Sequence, residues 1–133
     1  MRKILYILSV IFLTNSCNSN DSKMNKIQEG EFAHIVFFWL KNPNNQEDRT
    51  AFEASLTNFI NQSEFIKTKH IGKPASTSRG VIDTSYTYCL SLTFDNKAMQ
   101  DKYQDEPNHK KFIAESENLW EKVIVYDSVN FLE

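Results

Sequence analysis

Glycine is scarce in this chain, with three among 133 residues. Phosphate loops and dinucleotide fingerprints each need several at close spacing, so both are excluded. Cysteine is scarcer still, with two, which rules out a disulfide framework and a cysteine-based zinc site. Neither charge is in clear surplus: 15 Lys and Arg face 17 Asp and Glu, a formal net charge of −2. Nucleic acid is therefore not an expected partner, because phosphate neutralisation needs basic residues in excess on one face. A long apolar run is also missing. Residues 4–13 form the longest, about ten residues, roughly half of what a bilayer-spanning helix requires. What the chain does have is aromatic bulk, ten Phe, five Tyr and two Trp, enough for one core. Its length holds a single domain of ordinary size.

Residues 1–17 read MRKILYILSVIFLTNSC. Arg2 and Lys3 followed by a short apolar stretch have the layout of a secretory signal. Thr14-Asn15-Ser16-Cys17 resembles the lipobox of bacterial lipoproteins, in which the Cys is lipidated and becomes the mature N-terminus; Asn15 departs from the small residue usual at its position. The expectation is a signal peptide over 1–16, a lipidated Cys17, and a polar tether over 17–31. Acyl chains at about 0.8 kcal/mol per buried methylene would hold such a protein on a membrane. That places it at the bacterial cell envelope, on the periplasmic or outer-membrane side. Cys89 is then left as a lone Cys in the folded part, residues 32–133, expected as a small buried apolar residue.

Residues 32–41, FAHIVFFWLK, predict a strand with two apolar faces: Ala33, Ile35, Phe37 and Trp39 on one, and Val36, Phe38 and Leu40 beside His34 on the other. Asn44 or Asn45 predicts a helix cap, and Phe52, Leu56, Phe59 and Ile60 form one stripe on a helix over 46–62. Residues 65–73 predict a second strand, 75–85 a loop, and 86–95 a third strand with Tyr86, Tyr88, Leu90, Leu92 and Phe94 on one face. Asn96 caps a short helix to about residue 104, and Pro107 opens another, placing Phe112, Ile113, Ser116 and Trp120 along one side. Residues 122–132 predict the last strand.

Strand, helix, strand, strand, broken helix, strand is the α+β order of the ferredoxin-like split βαβ fold, a four-stranded antiparallel sheet with helices on one face. The other face, bearing Ile35, Phe37 and Trp39, is then left bare. An apolar patch of that kind marks a partner surface, and the simplest partner is a second copy packed sheet to sheet around a two-fold axis. A homodimer with a barrel-like interior follows.

His34-Ile35-Val36-Phe37-Phe38-Trp39-Leu40-Lys41 resembles the opening "H-x-V-x-F-x-L-K" of the Dabb, or stress-responsive A/B barrel, family. Phe94-Asp95 followed by Met99, Tyr103 and Pro107-Asn108-His109 resembles its second signature, and residues 123–127 its last strand. The resemblance implies a dimeric α+β barrel. Members include plant stress proteins, many bacterial proteins of unknown role, and a cofactor-free polyketide cyclase whose pocket residues match His34, Tyr103 and His109 here.

Those three residues admit a chemical reading. His109 would sit in the first turn of a helix, beside Lys110 and Lys111, and both the helix field and the lysines disfavour the imidazolium. A neutral His109 can act as general base, Tyr103 can donate to an oxygen gaining charge, and His34 can orient either. The expected site is a cavity between sheet and helices walled by Val36, Phe38, Leu56 and Phe112, taking a small apolar or aromatic ligand without a cofactor. His34, His70 and His109 lack the spacing of a zinc site, so no metal is expected. Trp39 and Trp120 are expected in the core or a dimer interface. Three functions stay open: a binding module, a structural stress protein defined by stable oligomerisation, and a cofactor-independent lyase, isomerase or cyclase.

Overall fold

The computed structural model describes residues 29–131. The signal segment, Cys17 and the tether up to residue 28 lie outside the described residues, as do residues 132 and 133. Seven elements follow in order: β1 (Phe32–Leu40), α1 (Gln46–Gln62), β2 (Thr68–Gly72), β3 (Tyr88–Phe94), α2 (Lys97–Asp105), α3 (Pro107–Ser116) and β4 (Trp120–Val129). The sheet runs β2-β3-β1-β4 with every neighbour antiparallel, the α+β ferredoxin-like arrangement expected of the chain.

Local chemistry accounts for the helices. Asn45 takes an extended backbone and its side chain accepts from the Asp48 N–H at 3.0 Å, while Glu47 and Asp48 place negative charge in the first turn of α1. The buried residues of α1 are Phe52, Leu56, Phe59 and Ile60, the stripe expected of it. Asn96 caps α2 by accepting from the Met99 N–H at 3.1 Å. Pro107 fills the first position of α3, where no amide hydrogen is needed. The three helices close over one face of β1, where Phe38 lies 5.1 Å from Phe52 and 6.2 Å from Phe112 by ring centroids. Ala33, Ile35, Phe37 and Trp39 on the other face are only half-buried.

Four details depart from the sequence reading. β2 starts at Thr68 rather than residue 65, because Phe65 and Ile66 turn in to pack on the core and sheet pairing begins only at Thr68 opposite Thr93. Tyr86 lies on the open face, 4.9 Å from the Phe37 ring, and not beside Tyr88. The ladder has broken there: the Thr87 hydroxyl accepts from the Leu40 N–H, and period-two alternation fails outside a regular ladder. Trp120 is not part of α3, which ends at Ser116; it opens β4, two residues earlier than expected, and β4 stops at Val129. Its ring still reaches the core, 5.4 Å from Phe38. Cys89 is half-buried on the open face rather than enclosed.

Thr93, by contrast, is 1% exposed although it belongs to the open face. Gly30 covers it. With φ of +96° and Phe94 O only 2.7 Å from where a Cβ would stand, that position admits glycine alone.

Candidate functional site

His34, Tyr103 and His109 come from β1, α2 and α3, and the fold brings their rings together. His34 and Tyr103 centroids are 5.8 Å apart, Tyr103 and His109 4.9 Å. All three line a cavity of about 180 Å³ whose other walls are mostly apolar, including Val36, Phe38, Phe59, Phe112 and Trp120. Leu56, expected as a wall, does not reach it. That side chain is 1% exposed inside the core, one helical turn from Phe59, which takes the wall position instead. His70 lies on β2, away from the cavity. Trp39 is on the open face while Trp120 is in the cavity wall, so the two tryptophans serve different surfaces.

Each polar ring has its protonation pattern set by a neighbour. His109 Nδ1 lies 3.1 Å from the Gln104 carbonyl oxygen, which can only accept, so Nδ1 carries the hydrogen and the neutral ring keeps its lone pair on Nε2. Burial holds the His109 pKa below its ordinary value, and His34 and Lys110 act in the same direction more weakly, against the Gln104 bond and Glu106. The direction is the one expected for a helix start beside lysines, but burial is its leading cause. Tyr103 is buried, and desolvation, followed by the negative charges of Glu106 and Asp127, pushes its hydroxyl far above the usual phenol range. It stays a neutral donor at any ordinary pH, and its hydroxyl has no hydrogen-bond partner among the described residues.

His34 makes a bond that sequence reasoning missed. Its Nδ1 sits 2.6 Å from Asp127 Oδ1 on the adjacent β4, directly opposite in the strand register. The imidazole is 5% exposed, so the carboxylate orients a ring that water hardly reaches. Gln104 is the second unforeseen contributor. Among the described residues, no cluster of three His, Cys, Asp or Glu side chains is placed to hold a metal ion, and no helix is long and apolar enough to cross a membrane.

A ferredoxin-like sheet with a His-Tyr-His cavity under its helices defines the class of domain. Residues 32–130 match the model of the stress responsive A/B barrel domain, Dabb, and the chain belongs to that family. Among solved structures, it is similar to a Dabb family protein with a ferredoxin-like fold from Mesorhizobium loti, at 22% identity over 77% of this chain and 99% of that one, TM-score 0.65. A dimeric ferredoxin-like protein of unknown function from Thermobifida fusca matches at 16% identity over 80% and 97%, TM-score 0.63. The hydroxynitrile lyase from Passiflora edulis matches at 22% identity over 78% and 97%, TM-score 0.63. At these identities the likeness is one of fold alone. No protein of curated function matches the chain.

Proposed function

We propose that this Dabb-family protein is an envelope-anchored homodimer that holds a small apolar or aromatic molecule between its sheet and its helices. The observation that carries the reading is the run of His34, Tyr103 and His109 along an otherwise apolar cavity. Its volume of about 180 Å³ is below that of most drug-sized pockets. An engineered cavity of about 150 Å³ takes a benzene ring, so a single ring with short substituents is the size that fits. The half-buried Ile35, Phe37, Trp39 and Tyr86 face supports a second copy packed sheet to sheet, and the dimeric Thermobifida fusca neighbour agrees with it. Residues 1–17 support lipidation at Cys17 after removal of 1–16, with the domain proper starting at residue 32.

Native mass spectrometry of the protein purified from its own cells tests the pocket. A dimer carrying a small molecule that His109→Ala loses is the expected result; an empty dimer of unchanged mass in both forms would leave only a structural role. Radiolabelled palmitate should enter the wild type and not Cys17→Ala, and label in both would end the anchor.

One further observation favours a second reading, cofactor-free proton transfer. The Gln104 carbonyl leaves His109 Nε2 as the basic atom, and Tyr103 is a neutral, unengaged donor 4.9 Å away by ring centroids. A carbonyl compound in the cavity would lose an adjacent proton to Nε2 while its oxygen, gaining charge, accepts from Tyr103. That is the chemistry of a lyase, isomerase or cyclase, and the Passiflora edulis enzyme is a lyase on the same fold. Deuterium exchange next to the carbonyl of acetophenone should fall by about 10²-fold or more in His109→Ala. Exchange no faster than buffer in the wild type would sink this reading.

A further inference from the structure

The walls of the His34 cavity are unequally covered, and the difference locates its opening. The lining residues of β1, α1 and β3 are buried, whereas His109 and Ile113 of α3 and Val123 and Val125 of β4 are not. Val125 is 47% exposed although it lines the cavity. It stands opposite the buried Val36, on the helix side of the sheet, and β4 is an outer strand. The mouth therefore lies between β4 and α3, on the side away from the sheet face proposed for a second copy. Asp127 is the next residue along the same face of β4. Its Oδ1 accepts the His34 Nδ1 hydrogen at 2.6 Å, its Oδ2 has no partner among the described residues, and its side chain is 45% exposed.

No Lys, Arg, Asp or Glu among the described residues lines the cavity itself. Glu106 and Asp127 both act on the Tyr103 hydroxyl with negative charge. Lys110, the lysine felt by His109, is held by Asp105 at 3.2 Å. A carboxylate passing this mouth would meet the Asp127 charge and then lose its water where no Lys or Arg replaces it. An uncharged carbonyl of the same shape meets neither cost, and Tyr103 has a free hydroxyl to donate to its oxygen. On the strength of the pocket reading above, we propose that the ligand reaches the His34 cavity along the β4 edge. The cavity selects uncharged aromatic carbonyl compounds over aromatic carboxylates of equal size, and Asp127 sets that preference.

Acetophenone and benzoate are close in size and differ by one charge. Each is titrated into the full chain carrying Trp39→Phe, and emission is read from Trp120, the remaining tryptophan, in the cavity wall. Acetophenone should saturate below about 10 mM, with benzoate at least about tenfold weaker. Asp127→Asn should shrink that ratio about threefold or more, chiefly by tightening benzoate. Val125→Trp should slow acetophenone association about tenfold or more in stopped flow, since it narrows the mouth. Benzoate binding as tightly as acetophenone would overturn this selectivity while leaving the pocket standing. So would a ratio unchanged in Asp127→Asn, and unhindered association in Val125→Trp would refute the β4 mouth. Saturation by neither ligand would end the pocket reading and this inference with it. If a variant does not fold, calorimetry on the unmodified chain replaces it: the same ratio should hold at low salt and narrow in about 1 M NaCl. A ratio near one at low salt would overturn the proposal there too.

Discussion

The two faces of β1 are built from the same kind of residue and meet different fates. Val36, Phe38 and Leu40 are 5%, 3% and 2% exposed, while the alternating Ile35, Phe37 and Trp39 remain half-buried. Composition does not separate the sets; chain path does. In a split βαβ unit both crossovers have the same hand, so every helix lands on one side of the sheet. The chain therefore covers one apolar face with its own helices and leaves the other open, the face proposed above for a second copy. Burial within a protomer and burial between protomers should then respond to substitution in different measurements.

The largest effect belongs to the helix-covered face. Phe52 is fully buried among Phe38, Tyr88 and Phe112, and Phe52→Ala should lower unfolding free energy by about 3–5 kcal/mol in chemical denaturation. A loss below about 1 kcal/mol would mean that this face is not the core. Next comes the open face. Phe37→Asp should weaken dimerisation by about 2–3 kcal/mol, roughly a hundredfold, seen as a shift to protomer in sedimentation with the circular dichroism spectrum retained. Loss of folded structure instead would erase the distinction between the two faces.

Smaller effects sharpen the comparison within the helix-covered side. Asp127→Asn keeps the shape but removes the charge facing His34; because Asp127 is half exposed, the cost should be about 1 kcal/mol. The smallest is a pH effect. Burial lowers the folded-state pKa of His109 below 6.5, so around that pH the unfolded chain binds more protons than the folded one. Stability should therefore rise with pH up to about 6.5 and level off above it. His109→Gln should flatten that part of the profile relative to wild type in urea titrations, and an unchanged slope would contradict a buried, neutral imidazole.

Much of the fold is legible in the sequence, and the reason is physical. Asn45, the stripe of Phe52, Leu56, Phe59 and Ile60, Asn96 and Pro107 are local signals acting within a turn or two, and each did what its chemistry dictates. Failures came where the signal was not local. Tyr86 follows alternation in sequence, yet the ladder that enforces alternation begins two residues later. Trp120 fits a helical stripe and a strand equally well until the helix end at Ser116 is known. The site divides in the same way. His34, Tyr103 and His109 were found through a family pattern, whereas Asp127 is 93 positions from His34 and joins it only through the β1–β4 register. No spacing rule within a single strand contains that information.

The backbone bond from the Asn130 N–H to the Glu31 carbonyl, 2.8 Å long, fastens the two ends of the domain side by side. Entrance and exit thus share one pole, and β1 carries the chain about 30 Å away from it to the rim where Lys41 stands. A leash attached ahead of residue 29 would grip the domain by that pole. The rim at Lys41 would then be the point of the domain farthest from its attachment.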